Sequence, residues 1–204
     1  SQTIGPRITY KNSSLKLDAA AYIQSGKIAV NKVKAMYFSA NASYQIGRDF
    51  NAAVGFEYLS GKANNDKSTD VKSFNPLYGT NHAFNGYMDY FYVGNYQNSV
   101  GLQDIFLKLL YNFQKWQFAL MPHLFNSGNT VVNPEKMEMN SYLGTEIDFT
   151  MLYTVNKYIK TSGGYSQMFG TETLQQLKGG DTNHTNNWAW IMVNVDPKLF
   201  SFKK

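Results

Sequence analysis

Hydrophobic and polar residues alternate along this chain in segment after segment. Between residues 34 and 46 one parity carries Met36, Phe38, Ala40, Ala42, Tyr44 and Ile46, and the other carries Tyr37, Ser39, Asn41, Ser43 and Gln45. Successive strand side chains point to opposite faces, so this stretch has one apolar and one polar face. The pattern recurs at residues 4–10, 15–23, 50–58, 105–113, 116–124, 143–153, 158–169 and 188–195. Soluble sandwiches show the same local alternation, but these segments are longer and their polar faces carry charge, Gly and Tyr. Strands of about 9–11 residues, apolar outside and polar inside, are what a barrel needs to cross a bilayer. The expected fold is all-β, the wall of a transmembrane antiparallel β-barrel with roughly nine to ten strands.

The connections alternate too. Short turns fall at Lys11-Asn12-Ser13-Ser14, Gly47-Arg48-Asp49, Gln114-Lys115 and Val155-Asn156-Lys157, and residues 26–32 read as a polar connection. Long polar segments occupy residues 61–99, 126–140 and 170–187. Barrels place short turns at the periplasmic end and long loops outside, so the three long segments are expected to be extracellular, with 61–99 alternatively folded into the lumen. Pro122 removes a ladder hydrogen bond, which predicts a bulge or strand end there. Residues 1–204 read as one barrel domain. The pattern begins almost at the first residue and gives an odd strand count, whereas bacterial single-chain barrels are even. These features suggest the C-terminal half of a larger barrel. The missing N-terminal half would come from the same gene product or a second chain, and would pair along residues 4–10.

Composition narrows the class. Aromatics make up 16% of the residues, led by 15 Tyr, as interfacial belts require. Charged residues are also 16%, below the roughly 25% of soluble domains. Mean hydropathy is −0.39, and no apolar run is long enough for a membrane helix. There is no Cys, which removes disulfides and thiolate chemistry. The net charge of +5 is scattered rather than clustered, which argues against nucleic acid as a partner.

The candidate chemistry lies on the polar parity and in the first long loop. Arg7, Lys16, Asp18, Glu57, Asp104, Lys108, His123, Glu146, Asp148 and Lys160 are expected to line the pore. Glu57, Asp104, Glu146 and Asp148 would alternatively be paired carboxylates of a hydrolase, but they fall on separate strands or two positions apart. His123 near Ser127 lacks any strained nucleophile motif. With only three His, a zinc site lacks ligands, and Asp66 and Asp70 lack EF-hand spacing. No metal, cofactor or catalytic residue is expected. In the loop, Tyr78, Asn81, His82, Phe84, Tyr87 and Asp89 are expected to form a constriction.

Residues 74–91, reading FNPLYGTNHAFNGYMDYF, resemble a segment of alginate-export-type outer-membrane porins, in the version found in Bacteroidetes-like bacteria. Residues 55–61, Gly101-Leu102-Gln103-Asp104 and Trp188-Ala189-Trp190 fit the same family. The resemblance implies a barrel of about 18 strands in a Gram-negative outer membrane. It also implies a channel for small polar or sugar-like solutes. Alternatives are a non-conducting barrel subunit of an outer-membrane assembly or secretion complex, with loops docking lipoproteins, and an outer-membrane hydrolase. The alginate exporters proper have a basic lumen, whereas the inner face expected here is mixed in charge.

Overall fold

The computed structural model describes residues 1–77, 79, 82, 85–92, 98–197 and 200. Ten antiparallel strands form one continuous sheet. They are β1 (Gln2–Ile4), β2 (Arg7–Lys11), β3 (Leu15–Ile28), β4 (Asn31–Ile46) and β5 (Phe50–Leu59), followed by β6 (Leu102–Phe113), β7 (Trp116–Ser127), β8 (Tyr142–Thr154), β9 (Ile159–Gly170) and β10 (Asn186–Val195). One short helix, α1 (Glu172–Lys178), precedes β10. Each strand pairs with its sequence neighbour, except that β1 and β2 both pair with β3. These two are one strand interrupted at Gly5-Pro6, because Ile4↔Ile23 and Arg7↔Ala20 keep a single register. A Cβ on Gly5 would lie 1.8 Å from the Ala21 carbonyl oxygen, so only glycine fits this crossing. Among the described residues, the β1/β2 edge and the β10 edge do not pair with each other, and the wall is open.

The apolar parity forms the outer face. Ile8, Ile23, Met36, Phe38, Val54, Leu107, Ile147, Phe149 and Ile191 are exposed there, an area no soluble monomer leaves bare. At the short-turn end this face carries aromatics in contact. Tyr111 stacks on Phe113, and Trp116 packs against Phe118 and, at 4.5 Å between centroids, Tyr153. Such a row marks a membrane interface. The buried core lies on the other face, at the long-loop end, where Leu59, Phe74, Phe91, Leu102, Phe125, Leu143, Met168 and Leu174 pack together.

Four details depart from the sequence reading. Residues 26–32 are not a loop, since β3 runs to Ile28, β4 starts at Asn31, and Ala29 takes φ +52° in the tight turn between them. Pro122 neither ends β7 nor shifts its register; Phe106↔His123 and Leu109↔Leu120 keep one alignment across it. The irregularity falls instead between Phe125 and Asn126, opposite Tyr142 and Gly144. That shift turns Leu143, read as outward, into a fully buried core residue. Finally, residues 170–187 contain α1, capped by the Thr171 side chain, which accepts from Leu174 N–H.

Candidate functional site

Pairing fixes which side chains share the inner face. Glu57 sits opposite Asp104, His123 opposite Phe106 and Glu146, and Asp148 opposite Met121 and Ser166. Period two then puts Arg7, Lys16, Asp18, Lys108 and Lys160 on the same face, so all ten residues expected to line a pore share it. They do not form one group. Glu57, Asp104, His123, Glu146 and Asp148 cluster across β5–β8 near the long loops. Lys16 and Lys160 lie toward the short turns, opposite Ser43 and Thr154, and Lys108 lies mid-strand opposite Ala53. Arg7 pairs with Asp18 at 3.1 Å, and Thr9 donates to the same carboxylate at 2.6 Å.

The acidic cluster holds the first long loop. His123 Nδ1 lies 2.9 Å from Asp104, and its Nε2 lies 3.8 Å from Asp148. The Asn85 side-chain amide donates to Glu57 at 2.6 Å and to Asp104 at 3.0 Å. The Tyr37 hydroxyl donates to the other Glu57 oxygen. Met88 N–H donates to Glu146 at 2.9 Å, Tyr87 N–H donates to Asp148 at 3.3 Å, and the Ser166 hydroxyl donates to Asp148 at 2.5 Å. Asn85, Asp104, Glu146, Asp148 and Ser166 are all at most 1% exposed. Hydrogen bonds to charged acceptors contribute roughly 1.5–3 kcal/mol each, and burying the carboxylates without these donors would cost more.

Gly86 makes the close approach possible. Its φ is +77°, and a Cβ there would lie 2.5 Å from Glu146 Oε1. Asn85 and Phe91 bridge each other in an antiparallel pair, and the Phe91 ring meets Phe125 at 4.7 Å between centroids. A second anchor holds the start of the loop. The Gln24 amide donates to Asn75 O at 2.6 Å and accepts from Asn75 N–H at 2.8 Å, while Phe74 stacks on Tyr37 at 5.2 Å.

Of the expected constriction residues, His82 bonds Asp89 at 2.7 Å and stacks on Tyr87, whose backbone is in the clamp. Tyr78, Asn81 and Phe84 lie outside the described residues. Sequence reasoning missed Asn85, Gly86 and Met88 as clamp residues, although all stand in the segment that carries the family resemblance. Two cavities flank the clamp on the inner face. One of about 460 Å³ lies over β2–β4 and is lined by Arg7, Asp18, Tyr22, Tyr37 and Asn41. The other, about 520 Å³, lies toward β10 and is lined by Tyr87, Gln117, Thr150, Ser162, Trp188 and Trp190.

Chemically, the cluster contains a His–Asp pair, but Ser127 makes no hydrogen bond to His123, and Ser166 donates to Asp148 instead. Among the described residues no group of three or more His, Asp or Glu has the geometry of a metal site. Outside the strands, the loop carries its own ion pairs. Lys72 and the Ser68 N–H hold the Asp66 carboxyl well below the usual carboxylate range, and Lys34, from β4, lowers that of Asp70.

A family model described as alginate export matches residues 1–188. Among solved structures, one titled "NanC porin structure in rhombohedral crystal form" is similar, with a TM-score of 0.53 at 12% identity. The match covers 96% of this chain and 78% of the porin. At that identity the likeness concerns the fold, and it places the open sheet as barrel wall. No curated protein matches by sequence.

Proposed function

The chain belongs to the alginate-export family, and from that premise we propose an outer-membrane channel that passes small polar or sugar-like solutes through a bore narrowed by residues 85–91. The observation that carries this reading is the clamp. Loop backbone N–H groups are bonded to buried carboxylates of the inner wall, the arrangement of an eyelet rather than a free surface loop. Ordering a loop costs about 1–2 kcal/mol per residue, and the anchors at Asn75, Asn85, Tyr87, Met88 and Phe91 offset it locally.

Polarity of the bore supports a mobile-solute channel. The carboxylates cluster at the clamp, whereas Lys16 and Lys160 lie toward the short turns. The outer apolar face meets lipid in the outer membrane of a Gram-negative cell, with the long loops outside. The open β1/β2 edge pairs with a further strand, from the same gene product or a second chain, because unsatisfied backbone in lipid costs several kcal/mol per group. Burial of the clamp also suits the alternative of a plugged, non-conducting subunit of an outer-membrane complex.

Deleting residues 75–91 separates the two. In planar bilayers the channel reading expects the parent protein to conduct and the deletion to raise single-channel conductance. A parent that passes no current, while the deletion does, favours the plugged scaffold. Equal conductance in both refutes the eyelet.

A further inference from the structure

We infer that the cavity beside β10 is a binding subsite for neutral pyranose sugars, built on Trp190 and Trp188; this deepens the channel reading and rests on it. The two indoles are two positions apart on the inner parity of one strand, with ring centroids 6.2 Å apart. They therefore form a short aromatic track along the strand, with a spacing near one sugar unit of an extended oligosaccharide. Trp190 stands opposite Gly164 in the β9–β10 ladder. A Cβ on Gly164 would lie 2.4 Å from Trp190 Nε1, so the indole lies flat on bare backbone and turns its other face into the cavity. An aromatic face is the surface that the C–H-lined face of a pyranose ring stacks on.

The polar lining matches sugar hydroxyls. Neither the Thr150 nor the Ser162 hydroxyl hydrogen-bonds any described residue, and Gln117 spends one amide hydrogen on Asn112 while its carbonyl oxygen stays open. No Lys, Arg, Asp or Glu is among the described residues that line this cavity. An anionic sugar would therefore find no Lys or Arg, and the imidazole in the lining, His82, is already paired with Asp89 at 2.7 Å, whereas a neutral sugar finds a flat apolar platform with uncommitted hydroxyls beside it. At about 520 Å³ the cavity is of the size that holds small ligands. The Tyr87 contact joins it to the clamp, so a sugar held here lies next to the constriction.

The test uses the detergent-solubilised protein and reads intrinsic tryptophan fluorescence during titration with maltotriose, trigalacturonate and sorbitol. Saturable change with maltotriose, at least tenfold weaker with trigalacturonate and absent with sorbitol, is expected. Trp190→Ala should weaken maltotriose at least tenfold and Trp190→Phe by less, with calorimetry as the readout for these variants. Should Trp190→Ala fail to fold, Ser162→Ala, expected to weaken maltotriose severalfold, decides instead. Unchanged maltotriose affinity in the deciding variant, or tighter binding of trigalacturonate, overturns the proposal. Binding in detergent does not require conduction, so a protein that binds maltotriose but passes no current refutes the channel reading and leaves the subsite standing.

Discussion

The facing of the wall is tested by two adjacent residues on β6 that point opposite ways. Leu107 lies outward beside Val54, its Cα partner on β5, whereas Lys108 lies inward opposite Ala53. Strand β6 has 12 residues. At a rise of about 3.4 Å per residue and a tilt near 45° it spans about 29 Å, close to the hydrocarbon thickness. Leu107 is near its middle, roughly 14 Å from either interface by the same geometry, too far for an arginine to snorkel out. The full mid-depth penalty of about 2–4 kcal/mol therefore applies to Leu107→Arg. That corresponds to roughly 30- to 700-fold in the folding equilibrium, at 1.4 kcal/mol per decade. Lys108→Gln removes a half-buried inward charge with no ion pair among the described residues, and should shift stability by no more than about 0.5 kcal/mol. Urea titrations of folding into lipid vesicles, read by heat-modifiable gel mobility, give both numbers. Equal effects at the two positions, or a larger one at Lys108, would refute the assignment of faces.

Gly86→Ala forces a side chain onto a backbone at φ +77° and against the Glu146 carboxylate; it should release the clamp and raise single-channel conductance, and an unchanged conductance counts against close docking. Asp66 accepts from Lys72 and Ser68, both at 2.7 Å, so its folded-state pKa is depressed from the ordinary 3.8. The contribution is then present above that value and lost only as pH falls through the lower one. The loop segment around residue 67 should resist trypsin equally at pH 8 and pH 6, and Asp66→Asn should be nicked faster at both, with equal nicking of the two proteins as the contrary result.

The strands were legible because each has to solve the same problem twice along its length. Lipid on one side and polar lumen on the other impose a period of two, and nine alternating segments appear in the chain where the sheet has its nine columns. What escaped was whatever depends on a partner rather than on the local pattern. Leu143 has the parity of an outward residue, and only the register slip against Asn126 on β7 turns it inward. Residues 26–32 look like a loop because their outer face is polar, yet β3 and β4 pair through them; a ladder needs backbone, not greasy side chains. The helix α1 is a different miss. Its Thr171 cap, Glu172 in the first turn, Lys178 in the last and Gly179 beyond are readable start and stop signals, masked by the polar loop around them. The clamp was half legible. Its carboxylates stand at strand positions of fixed parity, but two of their partners are the backbone N–H groups of Tyr87 and Met88, which every residue type supplies.

That division explains why a costly cluster persists in the wall. Four carboxylates with one imidazole repel one another, and in an open bore they would be solvated, spaced and cheap. Here the loop removes water from them and replaces it with fixed donors, the Asn85 amide between Glu57 and Asp104 and two backbone amides on Glu146 and Asp148. Each anchor is strong because the acceptor is dry, and each acceptor is tolerable only because the loop is present. Wall and loop are therefore coupled: weakening one donor exposes several carboxylates to water, which lowers the cost of releasing the next. The acidic cluster thus gives the constriction a defined position in the bore, between the clamp on β5–β8 and the tryptophan track on β10.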